Sequence, residues 1–176
     1  MKYVDEFRDR LLIDKVAREI RRAVDPERTY NIMEVCGTHT VSIRRAGLRS
    51  LLPENVRLIS GPGCPVCVTP AGYIDLALSL LDRPGLILAT FGDMLKVPGA
   101  CGQALASRLG SGRLRILYSP AELPSLARGT DAPVVFLGVG FEATAPTVAA
   151  AFLQAAREGI ANLFLYAAFK TVPPAL

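Results

Sequence analysis

The sequence lacks an apolar run long enough to cross a membrane. Its longest ones, "PVVFLGVGF" and "NLFLYAAF", are strand-sized, well below the ~20 residues a spanning helix needs. It also lacks a secretory leader pattern. "MKYVDEFRDRLL" mixes charges of both signs, where a signal peptide would place a basic tip before an unbroken apolar stretch. These absences point to a cytoplasmic protein without a membrane partner. There are no internal repeats, low-complexity tracts or block of basic residues. The net charge is only +4. Arg8, Arg10, Lys15, Arg18, Arg21 and Arg22 alternate with Asp5, Glu6, Asp9, Asp14 and Glu19, the pattern of a solvated helix face. Nucleic-acid binders cluster their charge and add a recognition motif; neither is present, and no nucleic-acid partner is expected.

Histidine and cysteine are scarce, and their placement is uneven. The one histidine, His39, and three of the four cysteines, Cys36, Cys64 and Cys67, fall in two short stretches, "EVCGTHT" and "SGPGCPVCVTP". In a cytoplasmic chain such cysteines point to metal binding or redox chemistry rather than structural disulfides. Cys64 and Cys67 form a C-x-x-C pair. Two thiolates at that spacing can chelate a soft metal ion, or close a disulfide. Gly61 and Gly63 permit tight turns while Pro62 and Pro65 stiffen the loop. Cys36 and His39 share a face if a helix begins there; they can bind a metal, or the imidazole can lower the thiol's pKa. A Cys₃His zinc site, a thiol–disulfide oxidoreductase and two incidental thiols in a turn all remain open at this point.

The chain has 176 residues, 51% hydrophobic and 20% charged, enough for a buried core. Residues 4–24 carry Val4, Phe7, Leu11, Val16, Ile20 and Val24 at helical spacing. Six β-rich runs follow, at 30–35, 56–60, 86–90, 113–118, 133–138 and 162–168, with helical stretches near 40–51, 70–82, 101–109, 120–128 and 143–158. Alternating strands and helices predict a Rossmann-like α/β fold, a parallel sheet flanked by helices. "GTDAP" marks a boundary between a first α/β domain, 1–130, and the start of a second, incomplete one, 131–176.

"CGTH", "GPGCPVC", "FGD" and "GFEAT" each follow a predicted strand. Loops at the carboxyl ends of parallel strands form the binding crevice, so the motifs are expected at one sheet edge. Asp93 and Glu142 sit in two of these loops. Either can orient a ligand or shuttle a proton, but spacing alone favours helix N-caps for both. Cys101 reads as a lone thiol. "GVGFEA" lacks the third glycine of a dinucleotide loop.

Taken together, "VDEFRD", "IMEVCGTHT", "LLPENVRLISGPGCPVCVTP", "TFGDMLKVPG" and "GFEATAPT", in order from Val4 to Thr147, resemble the HypD family of hydrogenase maturation factors. The resemblance implies an accessory scaffold rather than a conventional enzyme. On it the Fe(CN)₂CO unit of [NiFe]-hydrogenase is assembled, with HypC as partner and HypE as cyanide source, for eventual delivery to the hydrogenase large subunit. By resemblance, Cys36 is the iron-ligating thiolate and His39 its close partner. Cys64 and Cys67 become the redox pair, and Asp93 and Glu142 line the same cleft. The family's C-terminal domain binds a [4Fe–4S] cluster, and this sequence is expected to stop short of its ligands. Phe169 stands where the family tends to show histidine, and Cys101 lies outside the motifs.

Overall fold

A computed structural model describes residues 9–176. The first part of the predicted N-terminal helix, with Val4 and Phe7, and all but the last residue of "VDEFRD" lie outside the described residues. The chain divides between Cys64 and Pro65 into two compact units.

The first unit opens with α1 (Arg10–Ala23). Asp9 caps it, its carboxylate accepting from the Leu11 amide at 2.8 Å and the Leu12 amide at 3.2 Å. β1 (Tyr30–Glu34), α2 (Gly37–Arg45), α3 (Leu48–Leu51) and β2 (Val56–Ser60) follow. β1 and β2 form a two-stranded parallel sheet, in register from Tyr30 opposite Val56 to Glu34 opposite Ser60. The Asn55 amide donates to the carbonyls of Asp25 (2.9 Å) and Arg28 (2.8 Å) and so fixes the entry to both strands.

The second unit contains α4 (Ala71–Asp82), β3 (Ile87–Phe91), β4 (Leu114–Leu117), α5 (Leu123–Arg128), β5 (Val134–Gly140), α6 (Ala145–Arg157) and β6 (Leu163–Phe169). Its four strands are parallel, in the order β4-β3-β5-β6. Side chains alternate between the two faces of a strand, and both faces are apolar here. Leu88 and Leu137 join Ile74 and Leu81 of α4 in one cluster. Ala89, Val134 and Phe136 join Leu123 of α5 and Val148 of α6 in the other. The near-continuous apolar strands thus have the reason expected of a sheet covered on both sides. On the α4 side the Tyr73 ring stacks on Tyr166, centroids 4.2 Å apart, and its hydroxyl donates to the Tyr166 carbonyl at 2.6 Å. Burial holds the Tyr73 phenol well above its ordinary pKa.

The parallel α/β expectation holds, and all six predicted strands are present. Three details differ. The strands belong to two sheets rather than one. The boundary expected at "GTDAP" separates nothing within the sheet, because β3 pairs with β5 across it, Ile87 opposite Val134. β5 is an interior strand, between β3 and β6, with Val134, Phe136 and Leu137 buried. Finally, the helix predicted over 101–109 is a turn followed by the short 3₁₀ segment Leu105–Arg108. There the Gly99 amide bonds the Gln103 carbonyl and Pro98 bridges Ala104, so the backbone closes on itself before a helix can start.

Candidate functional site

Parallel neighbours β1 and β2 send the loops that follow them to the same end of their sheet. Cys36 ends the first loop as the N-cap residue of α2, and Cys64 lies in the second. The ladder runs on past the strands, with the Gly61 amide donating to the Glu34 carbonyl at 2.8 Å. Gly61 and Gly63 are not there for unusual dihedrals; neither has a positive φ. They are there because the loops touch. A Cβ on Gly63 would lie 2.4 Å from the Cys36 nitrogen and 2.5 Å from its Cα. A Cβ on Gly61 would meet the Met33 sulfur at 2.6 Å and the Glu34 carbonyl oxygen at 2.9 Å. Gly61 therefore lets the second loop close on Met33 and Glu34, and Gly63 lets it close on the backbone of Cys36, with Cys64 the next residue.

Cys36 is half-buried and firmly seated. Its amide donates to Glu34 Oε2 at 3.0 Å, and its carbonyl accepts from the Thr40 amide at 3.1 Å. Thr40 Oγ1 donates to the other Glu34 oxygen. These bonds from Thr40 and Cys36 hold the Glu34 carboxyl below its usual pKa. The sulfur closes no capping hydrogen bond, yet the amides of His39 and Thr38, at the positive end of α2, draw its pKa below the ordinary thiol value. The sequence expectation placed this effect in the His39 imidazole. In the structure it is the His39 backbone that acts, while the ring, on an exposed residue, contributes an attraction to Glu34.

A depressed thiol pKa is measurable. Mapped by peptide mass, the rate of Cys36 alkylation by iodoacetamide should reach half its maximum at a lower pH than in the guanidinium-unfolded chain. Coincident midpoints would mean that α2 does nothing for the sulfur.

Cys67 is exposed, in a turn closed by Thr69, whose amide donates to the Val66 carbonyl (3.1 Å) and whose hydroxyl donates to that of Pro65 (2.9 Å). Asp93 and Glu142 follow the adjacent strands β3 and β5, at one end of the four-stranded sheet. Neither is an N-cap. Asp93 is exposed within the 3₁₀ turn Gly92–Lys96, whose cap position is Phe91. α6 begins after Thr144, and Glu142 instead accepts the Val172 amide at 2.8 Å. Glu142 borders a cavity of about 640 Å³ shared with Phe169 and Lys170; the Phe169 ring also lies across Gly138, where a Cβ would meet it at 2.9 Å. Cys101 is exposed.

Among the described residues no group of three or more His, Cys, Asp or Glu side chains is arranged to hold a metal ion. Nor, among them, is any helix long and apolar enough to cross a membrane. Sequence reasoning passed over Glu34 and Thr40. They lie two residues before the N-cap cysteine and four after it, positions that carry no distinctive signal in the sequence.

The family model for HypD, described as the hydrogenase formation hypA family, matches residues 11–176. The chain is 48% identical over its whole length to the hydrogenase maturation factor HypD of Azotobacter vinelandii, covering 47% of that protein. It is 46% identical to the HypD of Rhizobium leguminosarum bv. viciae, over 94% of this chain and 44% of the relative. It is 40% identical to the HypD of Escherichia coli K12, over 100% of this chain and 49% of the relative. The chain thus spans about half the length of the curated relatives it matches.

Proposed function

The chain belongs to the HypD family of hydrogenase maturation factors, and from that premise we propose that it is a cytoplasmic scaffold on which the Fe(CN)₂CO unit of a [NiFe]-hydrogenase is assembled, with HypC and HypE as partners. Cys36 is its iron ligand. The supporting observation is the seating of this one sulfur: backbone fixed at both its amide and its carbonyl, thiol pKa lowered by the start of α2, and Gly63 pressed against it. Thiolates suit soft metal centres. An iron centre whose other positions are taken up by cyanide and carbon monoxide as it is assembled needs few protein ligands, so a single positioned thiolate can anchor it.

His39, one turn into α2, is the neighbouring group of the anchor. Cys64 and Cys67 form the redox pair. Oxidation of the two thiols to one disulfide releases two protons and two electrons, which is the currency of reductive ligand chemistry. Asp93 and Glu142, following adjacent strands of the second unit, are that unit's own candidate ligand-orienting groups.

The test is an infrared spectrum of the chain co-expressed with HypC and HypE and purified without oxygen. Bound cyanide and carbon monoxide absorb where protein does not. Cys36→Ser should remove their bands entirely, while Cys101→Ser, at an exposed thiol outside the motifs, should keep them. Bands of equal strength in Cys36→Ser would refute the anchor. Their absence from the folded parent protein would refute the scaffold reading for this chain.

A further inference from the structure

Behind the Cys36 turn lies a second concavity that the maturation role leaves without a use. It measures about 420 Å³ and is bounded by Glu34, Thr40, Arg44, Arg49, Ser50 and Ser60, all of the first unit. We propose that it is a binding site for a small molecule bearing a carboxylate or phosphate group.

Charge carries the inference. The lining holds two guanidinium groups and one carboxylate. That carboxylate is already committed, to the Thr40 hydroxyl and the Cys36 amide. Neither Arg44 nor Arg49 forms an ion pair among the described residues. The stretch from Val35 to Pro53 contains no Asp or Glu at all, so the hairpin bearing both arginines supplies no counter-charge of its own. A cation near a helix C-terminus is ordinarily explained by the helix dipole, and Arg44 and Arg45 both sit in the last turn of α2. Only Arg44 lines the cavity. Arg49 reaches the same space from α3 because the chain reverses at Gly47, φ 62°.

Chemistry then names the ligand class. A guanidinium presents a planar fork of donors that matches the oxygens of carboxylate and phosphate. The Ser50 and Ser60 hydroxyls lie on the same lining, but Ser50 donates to the Gly47 carbonyl at 2.7 Å and Ser60 is bonded to Glu34, so the guanidiniums supply the donors for the ligand. The volume falls in the range of small-molecule sites.

The experiment is a titration of the full ¹⁵N-labelled chain at constant ionic strength, so that general screening does not change. Inorganic phosphate and succinate are added separately, with an acidic Glu/Asp peptide as the third probe. Saturable shifts at the Gly47, Ser50 and Ser60 amides are expected with phosphate or succinate. Arg44→Ala/Arg49→Ala should weaken them at least tenfold. If the double variant does not fold, Arg49→Gln alone should still weaken them several-fold. Non-saturating shifts, undiminished affinity in the folded variants, or binding of the peptide alone would each overturn the proposal. Cys36→Ser should leave the anion affinity unchanged, so failure of the iron-anchor reading is distinguishable from failure of this one.

Discussion

Gly63→Ala should undo the cysteine site while leaving the four-stranded unit intact. The new methyl group would sit about as close as a covalent bond length plus one ångström to the Cys36 nitrogen and Cα, at 2.4 and 2.5 Å. Those atoms are backbone, tied on one side to Glu34 and on the other to Thr40. No side chain can rotate away, so a loop must move. Overpacking of this kind costs about 1–3 kcal/mol, occasionally more. The functional loss should be larger than the loss of stability, because the displaced loop is the one that carries Cys64. Guanidinium unfolding should show the first unit destabilised, and Cys36 alkylation should shift toward the behaviour of an ordinary thiol. A variant with unchanged unfolding and unchanged Cys36 reactivity would show that the close approach of the loops is not needed.

The second large effect is expected in the other unit. Phe136 is fully buried on β5, between β3 and β6. Its ring meets Phe91 edge-on, centroids 5.2 Å apart and planes at 83°. Truncation to alanine removes a large apolar side chain and leaves a cavity, at a cost of about 3–5 kcal/mol. The lost aromatic pair accounts for about 0.5–1.5 kcal/mol of interaction beyond area burial. Against a typical domain stability of about 5–15 kcal/mol, this single change should lower the denaturant midpoint sharply. A loss below about 1 kcal/mol would be incompatible with the cavity cost of a buried phenylalanine and with β5 as an interior strand.

The contrast between these residues explains what the sequence made legible. β5 announced itself, because an unbroken apolar run has one physical solution: burial on both faces. The same holds for β3, and alternation with the β-rich runs located α4 and α6. Partition of the strands between two sheets was not legible, since β1 and β2 read as strands whatever sheet they join. Nor was the turn at 101–109. Its composition suits a helix, but the Gly99–Gln103 hydrogen bond that prevents one is a tertiary outcome. At the site, Cys36, His39, Cys64 and Cys67 stood out by rarity and spacing. Glu34 did not, because its role is to hold the backbone, and a carboxylate before a cysteine has no distinctive spacing. The glycines of "GPGC" were noticed for the wrong reason. Turn-forming and contact-forming glycines look alike in sequence, and only the position of Cys36 tells them apart. Glu142 shows the reverse error: an acid near a helix start suggests a cap, but its partner, the Val172 amide, comes from beyond β6.

Cys36 occupies a position where serine or aspartate would ordinarily secure a helix. The sulfur makes no capping hydrogen bond, and α2 lowers the sulfur's pKa. By linkage, that influence is mutual. Deprotonation of Cys36 must strengthen the start of α2, by an amount fully present above the thiol's unfolded pKa and lost as pH falls through its lower folded value. Alkylation, which fixes the sulfur as neutral, must remove that increment wherever the thiolate would have supplied it, and change nothing at a pH below the folded value. The first turn of this helix is therefore a reporter on the charge of one sulfur atom, and whatever neutralises that sulfur also weakens the hold on the helix start.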